Sequence, residues 1–164
     1  MRAAWVSLVM VAAACSTTPP PVPVLGQSGE LSQLAGSWAG EYSGRGTGRS
    51  GSIVFQLEAD SRTAHGDVVM IPRGSDRPLH RAHDRSIAES AIPATQVLGI
   101  SFVRVAGGQV SGELEPYHAP DCDCTLFTRF WGELRGDTIS GTFRTAGGDG
   151  VTETTGEWRA FRRK

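Results

Sequence analysis

The sequence predicts an all-β fold, an antiparallel meander of about eight strands that closes, or nearly closes, into a small barrel; a β-sandwich is the alternative. Three observations predict it. Apolar and polar residues alternate in short segments, most joints between these segments are short and contain glycine, and a bulky apolar residue repeatedly stands two positions after a glycine. An open meander leaves two unpaired edges, which closure into a barrel removes.

Eight segments alternate in the way expected of a strand with one buried face. In GSIVFQLEAD, for example, Phe55 and Leu57 point to one side and Gln56 to the other. Joints such as AGG at 106–108 are typical of hairpins, so neighbours in sequence are expected to pair antiparallel. The predicted strands are 36–43, 51–59, 64–71, 96–105, 108–116, 125–134, 137–145 and 153–162.

A glycine–x–apolar motif recurs within these segments. With a period of two, the glycine and the apolar residue share one face, while the middle residue, usually charged, faces water. A glycine on the inner face permits the sharp coiling or close packing that a barrel wall needs. The copies begin at Gly40, Gly66, Gly112, Gly132, Gly141 and Gly156.

The N-terminal segment predicts export and lipid attachment. Arg2 precedes the apolar run 5–13, which is too short to span a bilayer comfortably, so residues 1–14 are expected to be a signal peptide. Small residues then lead into Cys15, which resembles the lipobox of bacterial lipoproteins. The resemblance implies cleavage before Cys15, lipid on that residue and, with Ser16 after it, release to the outer membrane. An ordinary signal peptide that leaves this cysteine free is the alternative.

The rest of the chain divides into a tether and one domain. Residues 15–29 contain four prolines and no charged side chain, so they are expected to form an extended tether with lipid on its first residue. Residues 30–164 are expected to form a single barrel domain, long enough to bury a core. The predicted location is the bacterial cell envelope, anchored through lipid, on the periplasmic side or displayed at the surface.

Two further cysteines, Cys122 and Cys124, remain once lipid takes Cys15. In an oxidising compartment this even pair favours a disulfide, closed within a tight turn because cysteines so spaced on a regular strand would stand about 6.5–7 Å apart. A metal site that adds His118 and Asp121 is one alternative, although the spacing matches no established zinc pattern. A redox-active pair is the other, and the flanking carboxylates disfavour its thiolate. No cofactor or metal is expected.

The first predicted strand opens with Gly36-Ser37-Trp38, which resembles the G-x-W opening of the calycin barrels, namely lipocalins, fatty-acid-binding proteins and avidins. In those families the tryptophan closes one barrel end, and a basic residue of the last strand lies across it. The resemblance therefore implies that Trp38 and Arg159, or alternatively Arg162, form a plug at one end of the barrel.

A barrel of this size holds one small ligand or is filled by its own side chains. If a ligand binds, an apolar one is expected, against inward-facing residues that can equally be the core. The residues predicted to line it are Trp38, Tyr42, Phe55, Leu57, Leu114, Phe143 and Trp158. The competing function is that of a structural or interaction protein, with a solid barrel whose loops bind an envelope partner.

One joint, residues 72–95, is far longer than a hairpin loop and carries four arginines and two histidines. A lid, or a basic patch for an anionic partner, is one interpretation; a solvated, mobile loop is the interpretation we favour. The sequence contains no catalytic motif, so no enzyme is expected. Lys and Arg number 16 against 17 Asp and Glu, which excludes the basic surface of a nucleic-acid-binding protein.

Overall fold

The structure is a computed structural model that describes residues 19–71, 95–119, 123–148 and 153–164. Within these ranges the chain forms ten strands and one short helix. They are β1 (Pro21–Leu25), α1 (Ser28–Leu34), β2 (Gly36–Gly44), β3 (Ser50–Leu57), β4 (Thr63–Ile71), β5 (Gln96–Ala106), β6 (Gln109–Leu114), β7 (Tyr117–Ala119), β8 (Cys124–Arg135), β9 (Thr138–Gly147) and β10 (Glu153–Arg163).

The sheet closes on itself as a barrel. Strands β2 to β6 pair antiparallel in sequence order, and so do β8, β9 and β10. Two further antiparallel pairings, of β10 with β2 and of β6 with β8, complete the ring. The predicted meander and its closure are confirmed, and each of the eight predicted strands ends within two residues of the observed one. The sandwich alternative is wrong.

A ninth barrel strand, β1, comes from the segment that was expected to be a tether. Pro21–Pro23 pair antiparallel with β4, and Val24 and Leu25 pair parallel with β5. The prediction of a spacer over 15–29 is therefore wrong from Pro21 onward. The alternating prolines and valines account for this, because proline tolerates extended backbone and the two valines that alternate with Pro21 and Pro23 are buried.

The helix α1 covers the barrel end at which β2 begins, here called the closed end. Its two leucines, Leu31 and Leu34, are buried in the core cluster. The opposite end, where β2 ends, is called the open end. The carbonyl of Leu34 accepts a hydrogen bond from Nε1 of Trp38 at 2.8 Å, which ties the helix to the first meander strand. No helix in the described ranges is long and apolar enough to cross a membrane.

Inside the barrel, aromatic side chains stand opposite glycines of neighbouring strands. The glycines of the predicted motif do lie on the inner face, and Gly66, Gly112, Gly132 and Gly156 are buried. A ring can lie flat over a residue without a side chain, so a narrow barrel accommodates several aromatic residues. The opposed pairs are Tyr42–Gly51, Phe55–Gly66, Phe130–Gly112, Phe143–Gly156 and Trp158–Gly141.

Candidate functional site

The barrel encloses a cavity of about 100 Å³. Its wall is built from the inward residues of the meander strands and is overwhelmingly apolar, with Leu34 of α1 at the closed end. Ligand pockets for drug-sized molecules occupy roughly 300–1,000 Å³, whereas a dry apolar cavity of roughly 150 Å³ accepts a molecule as small as benzene. The space therefore suits a small apolar molecule or one short apolar segment.

Six of the seven residues predicted to line a ligand do line this cavity: Trp38, Tyr42, Phe55, Leu114, Phe143 and Trp158. The seventh, Leu57, is buried but does not reach it. It is the last residue of β3 and stands opposite Gly36, so it lies at the closed end. Sequence reasoning missed other lining residues that obey the same alternation, among them Met70, Ile100, Val110, Phe130 and Ile139.

The closed end is plugged by Trp38 and Arg162. Trp38 is buried, and the guanidinium carbon of Arg162 lies 4.3 Å from its ring centroid, in cation–π geometry. Arg162 also donates from Nη2 to the carbonyl of Gln33 at 2.7 Å, from Nη1 to the carbonyl of Ala35, and from Nε to Asp137 at 2.8 Å. One side chain thus joins the last strand to α1, to the start of β2 and to the β8–β9 turn.

The prediction that Arg159 forms this plug is wrong. Along β10, Trp158 and Ala160 face the cavity, so Arg159 between them points outward. Its guanidinium carbon lies 6.0 Å from the ring centroid of Phe161, on the barrel exterior. The alternative residue, Arg162, is two positions after Ala160, so its side chain points to the inner face of β10 as those of Trp158 and Ala160 do.

Hydroxyl groups gather toward the open end of the cavity. The side chains of Thr128 and Thr145 are buried and their oxygens lie 2.8 Å apart, while the Tyr117 hydroxyl stands 3.4 Å from that of Thr128. The register of β8 and β9 places the two threonines directly opposite each other. Arg49 lines the same end. The cavity is therefore amphipathic, with an apolar floor and polar groups near its mouth.

The phenol of Tyr42 belongs to this polar end. Burial raises the pKa of Tyr42 well above its ordinary value, and the nearby Tyr117 adds to the rise, while the positive charge of Arg49 opposes it. The neutral phenol is thus the form that the folded barrel favours.

We expect Tyr42 to remain protonated at a pH at which a free phenol has ionised. Because its folded pKa is raised, its contribution to stability is complete below the unfolded value of 10.0 and is lost as the pH rises above it. Ultraviolet titration of the phenolate absorbance should show a late component that is missing in Tyr42→Phe. A native curve without a late component would contradict the expected shift.

Several predicted residues lie outside the described ranges: Cys15, Asp121, Cys122 and nearly all of the long joint 72–95. The predictions made for them, including the Cys122–Cys124 disulfide, stay predictions. Cys124 begins β8 and pairs with Ala119, and nearby Nε2 of His118 lies 2.9 Å from a carboxylate oxygen of Asp123. In the part of the chain that the structure describes, no group of three or more His, Cys, Asp and Glu is placed to hold a metal ion.

Comparisons of the chain with protein-family models, with curated proteins and with solved structures found no match. The barrel has a calycin-like shape, with a tryptophan and an arginine at its closed end. That likeness is one of shape. The cavity and the outer surface are therefore the grounds on which a function can be proposed.

Proposed function

We propose that the barrel binds a small apolar ligand, or the apolar part of an amphipathic one, and that the chain is held in the bacterial envelope, at the outer membrane, by a lipid on Cys15. The observation that carries the ligand proposal is the apolar cavity, which is plugged at one end, open at the other and lined with hydroxyls toward the open end. The lipobox-like sequence before Cys15 carries the anchoring proposal.

The plugged end determines how a ligand enters. Leu34, Trp38 and the bonded guanidinium of Arg162 cover the closed end, so the open end is the route of entry. Apolar surface leaves water on entry, which stabilises the complex by about 25 cal/mol per Å² buried. A polar group on the ligand would be satisfied near the mouth, by the hydroxyls of Tyr117 and Thr128, since the Trp38 indole already has a partner.

A binding role is favoured over a catalytic one by the chemistry of the wall. Among the described residues that line the cavity, Arg49, Tyr42 and Tyr117 are the titratable ones, and no carboxylate, histidine or cysteine is present. General acid–base or nucleophilic catalysis draws mainly on those missing groups.

The second candidate is an interaction protein with a filled barrel that binds an envelope protein through its loops. The small cavity volume favours it, because about 100 Å³ is below the usual range of ligand pockets. Under this proposal the cavity is a packing defect, and purified protein carries no small molecule.

Native mass spectrometry of the full chain, extracted from a bacterial membrane in mild detergent, separates the two. A bound ligand appears as extra mass that is lost on denaturation. Val110→Phe, which adds bulk inside the cavity, should abolish that mass, whereas Val54→Phe, which adds the same bulk on the exterior, should retain it. Native protein without extra mass would contradict ligand binding and favour the interaction protein.

The denatured spectrum of the same sample tests the anchor and the disulfide. Lipid on Cys15 adds a covalent mass to a chain that begins at that residue, and Cys15→Ser should move the protein to the soluble fraction. Unchanged membrane association of Cys15→Ser would contradict the anchor. A Cys122–Cys124 bridge lowers the mass by two hydrogens relative to the reduced chain.

A further inference from the structure

We infer that one wall of the barrel rests on the lipid bilayer in which Cys15 is anchored. This wall, called the β3–β5 wall, is the outward face of β3, β4 and β5 toward the open end and includes Val54, Val69, Ile71 and Val97. The inference depends on the lipid anchor proposed above but not on ligand binding.

The first argument is the point at which the chain joins the barrel. The carbonyl of Pro19 lies 3.0 Å from Nδ1 of His65, and the carbonyl of Pro20 accepts a bond from the amide of Gly66 at 3.5 Å. The chain is therefore held against β4 from Pro19 onward. Three residues lie between Cys15 and Pro19, and the four chain steps that join these two residues reach at most about 14 Å when fully extended. The anchor thus keeps the side of the barrel at β4 and β5 close to the bilayer.

The second argument is the exposed apolar surface on the same side. Val97 is 66% exposed, Val54 39% and Ile71 37%, each on an outward position of its strand. Val97 and Val69 stand directly opposite each other, and Ile71 follows Val69 on the same face of β4. Val54 stands opposite Asp67 and diagonal to Val69, so it forms the margin of this patch. The patch begins just beyond His65, where the N-terminal chain joins β4.

The third argument is the distribution of charge. From Ser50 to Gln56 on β3, from His65 to Ile71 on β4 and from Val97 to Gly99 on β5, the outward positions carry His65 and Asp67 as titratable groups. The carboxylate of Glu115 lies over Gly99 and is the third titratable group of this wall. The opposite wall also exposes apolar side chains, namely Phe127, Trp131 and Phe161, but it carries a series of ion pairs as well: Arg45–Glu157, Arg129–Glu113 and Arg144–Glu153. Pressing ion pairs against lipid costs free energy, so the wall with few charges is the one that a bilayer accepts.

A few aliphatic side chains are sufficient here because the lipid anchor has already brought the barrel to the membrane. Tethering turns a weak surface contact into an intramolecular one with a high effective concentration. The patch lies toward the open end of the barrel, at the end of β4 and the start of β5. Resting on this wall places the open end beside the bilayer, which is a source of apolar molecules.

Fluorescence quenching by brominated lipid tests the inference on the full lipidated chain. The background is Trp131→Phe, which removes the exposed native indole from the opposite wall. One variant adds Val97→Trp and its matched control adds Thr142→Trp, an exposed outward position on β9. In vesicles of phosphatidylethanolamine and phosphatidylglycerol with brominated acyl chains, the emission added by Val97→Trp should be mostly lost and that added by Thr142→Trp retained. Val54→Trp provides a second probe of the β3–β5 wall.

Flotation of the same samples with the vesicles separates a failure of the lipid anchor from a failure of the proposed contact between the β3–β5 wall and the bilayer. If the native chain carries no lipid and does not float, the anchor and the β3–β5 wall are both wrong, and ligand binding is unaffected. If the chain floats but Val97→Trp and Val54→Trp keep their emission, or Thr142→Trp is quenched as strongly, the anchor stands and the wall is wrong. Quenching confined to Val97→Trp and Val54→Trp supports the inference.

Discussion

Gly141→Ala is expected to destabilise the barrel by about 3 kcal/mol or more, or to prevent folding. A Cβ atom at this position would overlap the carbonyl oxygen of Trp131 and the Cα of Gly132, both of which belong to the backbone of the neighbouring strand. Backbone cannot rotate away as a side chain can, so β8 and β9 would have to separate. Urea denaturation of the full chain, followed by circular dichroism, measures the loss.

Gly29→Ala is the matched control for this variant. Gly29 lies in α1, and a Cβ added there meets no atom within 4 Å. Because alanine is a better helix former, the control is expected to be neutral or stabilising by up to about 1 kcal/mol. Equal urea midpoints for Gly141→Ala and the native chain would show that the strands can move apart at little cost, against the expectation.

Arg162→Met is expected to destabilise the barrel by about 2–4 kcal/mol. The substitution keeps an apolar stem over Trp38 but removes the cation–π contact and the charge-assisted hydrogen bonds to the carbonyls of Gln33 and Ala35. The ion pair with Asp137 contributes little to this sum, since that carboxylate is largely exposed. The closed end of the barrel is the region that loosens, so α1 should lose protection in amide hydrogen exchange before the sheet does.

Arg159→Met is the control, with the same chemical change three residues earlier on the same strand. Arg159 lies on the exterior, so its loss is expected to change the free energy of unfolding by no more than about 0.5 kcal/mol. The denaturant midpoints of the two variants show which arginine stabilises the closed end. A larger loss of unfolding free energy for Arg159→Met than for Arg162→Met would mean that Arg159 forms the plug, as the sequence predicts.

These two arginines also show how far local sequence patterns can be used. The alternation that placed Trp158 on the inner face already implies that Arg159 faces outward and that Arg162 faces inward, so the correct residue could have been found from sequence. The start of the domain is a different case. The prolines around Val22 and Val24 have the composition of a spacer, and only the gap between β4 and β5 makes them a strand.

The sequence by itself determined the eight meander strands, their inner faces and the closure of the sheet. The alternation of a strand and the glycine-containing joint after it are short-range properties, since each can be read from about a dozen residues. Counting the strands found in this way gives the eight meander strands that close the barrel. Six of the seven expected lining residues follow from them. The lipobox-like segment before Cys15 is equally local, and it predicts an anchor that awaits its test.

Only the tertiary structure decided the rest. The opposition of Thr128 and Thr145 depends on the register between two strands, and the seven-residue α1 is too short for a periodic signal. The cavity volume is the small difference between the space that the barrel encloses and the volume of the side chains within it, a quantity that no single segment contains. The arrival of the N-terminal chain at β4, beside an apolar wall with few charges, likewise exists only once distant segments have paired.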